Sequence, residues 1–221
     1  MDLTSVVLPA VWLGAGWAAA AATLLWALRH APWSRLPGSP LGHVAAAMVI
    51  AEVVLWTIRA TIGEGFTFHL LGVTAFALAT GPPLALLGSA IAVVLQIGVH
   101  DGRWENAGIA FVTMAALPVG VAWAVHRAAQ RLLPPNFFVY IFVGAFFGAA
   151  VALAAGGVAA AVGLAYGAGV PAPLVFGEYV PYLLYLAWGE AMLTGMALTL
   201  MVVYRPQWVA TFDDAHYLEG R

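Results

Sequence analysis

From Leu3 to Leu28 the chain carries no charged residue. An α-helix needs roughly 20 mainly apolar residues to cross the hydrocarbon of a bilayer, and about seven stretches of the sequence qualify. The chain has 221 residues, 63% hydrophobic and 8% charged, against about 25% charged in an ordinary soluble domain. So few charges cannot cover a water-facing surface, and the solvent for most of this chain must be lipid. The predicted fold is all-α: a polytopic membrane helix bundle of about seven transmembrane helices over residues 1–206. A short tail, 207–221, follows.

The boundaries come from charge and proline. The first span is not a cleavable signal peptide, because Asp2 stands where a basic n-region belongs and Arg29 follows the apolar run. The proline-containing linker from His30 to Leu41 separates it from a second span, His43 to Arg59. The third runs from Ile62 to Thr80 and stops at Gly81-Pro82-Pro83, where proline suits the first turn of a fourth span reaching His100. The fifth covers Ala107 to Arg131, with a kink expected at Pro118. A sixth extends from the Pro134-Pro135-Asn136 break to Ala165, and a seventh from Val180 to Arg205-Pro206.

All the basic residues are arginine. Seven spans with an outside N-terminus and a cytoplasmic C-terminus put Arg29, Arg35, Arg127, Arg131, Arg205 and Arg221 inside, and only Arg59 and Arg103 outside. That is the expected positive-inside bias, and it fits a multi-pass protein of a bacterial inner membrane. A net charge of −2 without a basic patch argues against nucleic acid as a partner. Without cysteine there is no disulfide, thiolate ligand or thiol nucleophile, so metal chemistry must use nitrogen and oxygen donors.

The predicted outer face gathers the Met1 amine, Asp2, Glu64, His69, His100, Asp101, Glu105 and Glu178. Within it His69 stands out, because it opens an apolar stretch, Phe68-His69-Leu70-Leu71-Gly72. An ionisable residue in a membrane segment is costly and faces the bundle interior or a cavity. His69 is therefore either a metal ligand or a hydrogen-bonded structural histidine. Glu52 and Glu190 lie near mid-membrane, and Arg59 follows Glu52 by about two helical turns. These intramembrane groups read either as a proton or ion relay or as a buried pair. Small residues crowd the first span (Gly14, Gly16, Ala18 to Ala22) and the sixth (Gly144, Gly148, Gly156, Gly157). They suit close helix packing within the bundle, or, on the first span, docking of a partner membrane subunit.

The stretch from His69-Leu70-Leu71-Gly72 through Gly81-Pro82 and Gln96 to Gly108 resembles the substrate-binding membrane subunit of energy-coupling-factor transporters for cobalt and nickel (CbiM/NikM). So do Phe142 to Gly148, Gly189-Glu190-Ala191-Met192-Leu193-Thr194-Gly195 and Arg205-Pro206. The resemblance implies a permease that is not itself an enzyme, working with a membrane coupling subunit and cytoplasmic ATPase subunits. It implies Co(II) or Ni(II) held in a plane by the N-terminal amine, a position-two histidine with its amide, and the histidine matching His69. Here position two is Asp2, and Ala110 and Thr113 stand where the family has asparagine. Asp2 offers an oxygen donor and His100 an imidazole in place of the missing one; a mixed site also admits Zn(II) or Cu(II). The expected metal ligands are thus His69, Met1, Asp2 and His100, with Glu64, Asp101 and Glu105 as an acidic surround. The competing reading is a redox subunit holding haem or copper through paired histidines, His69 with His100 and His43 with His126.

Overall fold

The computed structural model describes residues 3–62 and 66–217, the side chain of His216 apart. Among these described residues six helices are long and apolar enough to cross a membrane: α1 (Ala10–His30), α2 (Pro40–Thr57), and, past a short α3 (Val73–Thr80), α4 (Pro82–Val99), α5 (Trp104–Leu132), α6 (Val139–Gly167) and α7 (Ala172–Tyr204). At 1.5 Å per residue, the 21 residues of α1 span about 31 Å, the thickness of a bilayer core. Arg29 and His30 sit in its last turn, where cations suit a helix C-terminus. Ser39 starts α2 by accepting a hydrogen bond from the Gly42 amide, with Pro40 in the first turn.

The stretch expected as a third continuous span is built differently. Strands β1 (Ala60–Ile62) and β2 (Phe66–Phe68) form an antiparallel hairpin in which Ala60 faces Phe68 and Ile62 faces Phe66. Residues 69–72 are irregular, and α3 then contributes 8 residues, every one of them buried. Eight residues reach only about 12 Å, so α3 lies within the bundle and does not cross it alone. Gly72, at φ 72°, occupies the left-handed region that starts α3, which glycine adopts without strain.

The helices pack through glycine. A Cβ on Gly16 of α1 would lie 2.7 Å from the Ile109 nitrogen of α5, and one on Gly108 would lie 2.7 Å from the Trp17 nitrogen. On α6, a Cβ at Gly156 would collide with the Thr113 carbonyl oxygen and stand 2.8 Å from Pro118 Cγ. These glycines of the first and sixth spans thus serve packing within the chain, while Gly14 faces open space. Pro118 does not break its helix: a π-helical turn, Val112–Ala116, precedes it and α5 continues to Leu132. The wider turn accommodates the ring that an unbroken α-helix would reject.

Contacts define two faces. Residues 3–9, the hairpin and residues 100–106 gather at one, where the Arg103 amide donates to the Thr4 carbonyl and Leu3 packs under Gly163. We call this the hairpin face. At the opposite tail face, residues 206–217 fold back on the bundle: the Ala210 amide donates to the Ala79 carbonyl, and Val209, Phe212 and Tyr217 are buried with Tyr140 and Leu78. Exposed aromatic side chains mark both faces, Trp104 and Tyr166 at the first and Trp33, Tyr204 and Trp208 at the second. That is the distribution of a membrane protein's interfacial belts. Apolar side chains such as Val11 and Leu184 are left exposed between them, as hydrocarbon permits.

Replacing Gly156 or Gly108 by Ala is expected to cost about 1–3 kcal/mol, because the added methyl meets backbone that cannot rotate away. Gly14→Ala should be neutral. Thermal melting of the three variants in detergent measures the difference, and equal melting of Gly14→Ala and Gly156→Ala would contradict this packing.

Candidate metal-binding site

His69 leaves the hairpin directly after β2 and is 2% exposed. Its Nδ1 lies 3.0 Å from the Leu70 carbonyl oxygen. A carbonyl can only accept, so in this bond Nδ1 carries the proton, and in a neutral imidazole Nε2 then holds the lone pair. Histidines that ligate metals characteristically donate their second ring N–H to a carbonyl or carboxylate in this way. The indole of Trp56, fully buried near the end of α2, packs against the imidazole with ring centroids 5.7 Å apart.

Buried polar groups hold the irregular stretch after His69. Trp56 Nε1 donates to the Leu71 carbonyl at 2.9 Å. Both oxygens of Glu190 accept backbone amides, Oε2 from Leu71 and Oε1 from Gly72, each at 2.7 Å. Gln96 of α4 donates to the Trp56 carbonyl at 2.7 Å and so ties α4 into the same network. Before His69, Phe68 stacks on Tyr179 at 5.0 Å and Phe66 meets the same ring edge-on at 5.3 Å.

The chain preceding α1 comes to the same region. Leu3 is fully buried and shares one continuous core with Trp56, Phe68 and Leu71. Asn106, itself fully buried, donates through Nδ2 to the carbonyls of Leu3 at 2.6 Å and Val6 at 2.7 Å. Asn106 is not legible as a buried group from the sequence, because it sits at the end of a polar loop that reads as solvated. Trp56 and Gln96 were hidden for the opposite reason, inside apolar runs. A polar residue flanked by apolar helix, as at Gln96, is the one signal that could have found it.

Of the expected ligands and acidic surround, Met1, Asp2 and Glu64 lie outside the described residues. His100 caps the C-terminal end of α4 and is exposed at the hairpin face. Asp101 and Glu105 are exposed beside it, and Glu105 is ion-paired with Arg103. Among the described residues no three His, Asp or Glu side chains gather where one ion could be held. The anticipated pairing of Glu52 with Arg59 is not formed. Helix α2 ends at Thr57, so helical spacing does not carry to Arg59, whose Nε donates to the Trp56 carbonyl at 3.2 Å. Glu52 accepts instead from Ser89 Oγ at 2.7 Å. The histidines offered for haem are also apart: His43 lines a groove with Met201 and Trp208, and His126 a separate cavity with Gln130 and Tyr140. Ala110 is buried in the core, and Thr113 Oγ1 donates to the Ile109 carbonyl of its own helix.

Six membrane-length helices around a buried, backbone-fixed histidine define an integral, multi-pass helical membrane protein. A family model described as the cobalt uptake substrate-specific transmembrane region matches residues 3–208, and the chain belongs to that family. It is a membrane subunit of transition-metal transport, working within an assembly of transporter components. Two crystal structures share its fold. One, of a truncated transition metal transporter, is 17% identical with a TM-score of 0.79, covering 92% of this chain and 99% of the other. The second, of a transition metal transporter, is 18% identical with a TM-score of 0.77, covering 91% and 92%. No curated protein matches by sequence.

Asn106→Ala removes the donor to two carbonyls, leaving them buried without it at a cost of about 1–3 kcal/mol. Faster hydrogen exchange over residues 3–9, with α6 and α7 unchanged, is the expected result. Unaltered exchange there would show that Asn106 does not hold the segment.

Proposed function

We propose that this chain captures a divalent transition-metal cation, cobalt(II) or nickel(II) foremost, at the hairpin face. That face looks away from the cytoplasm, and the tail face with residues 207–221 looks into it. The carrying observation is the buried His69, whose Nδ1 is engaged by a backbone carbonyl so that Nε2 is the donor nitrogen. The distribution of arginine supports the orientation: among the described residues Arg29, Arg35, Arg127, Arg131 and Arg205 lie on the tail-face side, against Arg59 and Arg103 on the other. Leu3, buried in the same core as Trp56 and Phe68, supports a ligand set drawn from His69, the Met1 amine and Asp2, with His100 as a further imidazole. Asp101, exposed at the hairpin face, adds negative charge that attracts cations, with Glu64 and Glu105 proposed as the rest of an acidic surround. Oxygen from Asp2 beside nitrogen donors relaxes a strict planar preference and admits Zn(II) or Cu(II) as competitors.

Capture needs no covalent chemistry, whereas import against a gradient needs energy. The sequence contains no lysine, hence no phosphate-binding loop of the Gly-x-x-x-x-Gly-Lys-Ser/Thr kind. ATP hydrolysis therefore belongs to cytoplasmic ATPase subunits, joined to this chain through a membrane coupling subunit in an energy-coupling-factor arrangement. Reorientation of the bundle then delivers the ion inward.

Calorimetric titration of the purified protein with Co(II) and Ni(II) tests the site. His69→Ala should weaken binding by more than about 100-fold, beyond what loss of a supporting residue costs. His100→Ala should weaken it less, and an extension that blocks the Met1 amine should impair it. Unchanged affinity in His69→Ala would overturn the assignment.

A further inference from the structure

Helix α7 grips the chain on both sides of His69. Ahead of it, Tyr179 stacks on Phe68 and meets Phe66 edge-on. Behind it, Glu190 takes the amides of Leu71 and Gly72. Between the two, a Cβ at Gly189 would touch Leu70 Cδ2 at 3.4 Å, so the helix also passes close to the residue after the histidine. From Tyr179 to Glu190 is about three helical turns, or ~16 Å along the axis. That length matches a short extended segment laid beside the helix.

From this arrangement, which rests on the metal-capture reading above, we infer that Glu190 is a positioning residue for the His69 ligand. Apart from the Gly72 carbonyl, which accepts the Phe76 amide to start α3, residues 69–72 lie outside helix and sheet, and the imidazole is held by the Leu70 carbonyl, which shares a peptide unit with the Leu71 amide that Glu190 accepts. The Glu190 carboxyl supplies two acceptors at the spacing of consecutive amides, and Trp56 supplies a donor to the carbonyl between them. Three hydrogen bonds thus fix the peptide units two and three residues past the imidazole. Because α7 carries the carboxyl, any displacement of α7 carries His69 with it. The carboxyl thus ties α7 to the residues between the histidine and α3, so it reaches both the ligand-bearing loop and the start of that helix.

The test uses Glu190→Gln, which keeps one acceptor oxygen, and Glu190→Met, which keeps similar bulk and none, in the detergent-purified full chain. Two readouts are taken: metal-free hydrogen exchange over residues 69–73, and calorimetric titration with Co(II). Exchange should rise from wild type to Gln to Met, confined to that segment, and Co(II) affinity should fall in the same order by roughly 10- to 100-fold. Melting of the metal-free variants should not follow that order. Wild-type Co(II) binding with unchanged affinity in both variants overturns the positioning role and leaves the metal site standing. Affinity that merely tracks melting assigns Glu190 to stability instead and equally overturns it. A wild-type chain that binds no Co(II) overturns the metal reading itself, while the exchange data still report whether Glu190 holds the loop.

Discussion

A membrane interior offers no water to an unpaired amide, so irregular backbone survives there only where protein groups satisfy it. Residues 69–72 are such a stretch, and Glu190, Trp56 and Gln96 are the buried polar groups that hold them. Glu190 accepts two amides, Trp56 donates to the carbonyl between, and Gln96 braces Trp56 from α4. Without this network the segment would either coil into helix or leave buried groups bare. With it, the chain presents a histidine inside a protein that is otherwise nearly all helix.

The surrounding helices bring the holding groups close by giving up side chains. Gly16 and Gly108 let α1 lie backbone to backbone on α5, and Gly156 lets α6 close on the turn before Pro118. In lipid, hydrophobic burial does not drive helices together, and close van der Waals packing and hydrogen bonds must do so. The same compactness that stabilises the bundle keeps the imidazole of His69 dry and fixes its tautomer through one carbonyl. The proposed metal capture rests on this buried, backbone-held imidazole at one face of the bundle.

Much of the fold was legible because bilayer thickness imposes a length, and six helices meet it. His69, Glu52 and Glu190 were legible as anomalies, since an ionisable residue in an apolar run demands a partner. Their partners were not. Glu52 and Arg59 are spaced like neighbours on a helix, but α2 ends between them and each turns elsewhere. The run from Ile62 to Thr80 is apolar enough for one span, and its composition could not disclose a hairpin, a left-handed glycine and a helix of 8 residues. Asn106 looked like loop solvation and is buried against the chain's first turns.

The sequence alone determined that this chain lives in lipid, that it is a bundle of long apolar helices, and that one histidine would be an exception among apolar neighbours. These follow from hydropathy and chain length, which are properties of contiguous residues. Only the tertiary structure decided that Glu190 would meet amides 119 and 118 positions away, and that Trp56 would serve a carbonyl 15 positions on. Such bonds depend on which faces of distant helices are turned together, and no local pattern encodes that orientation.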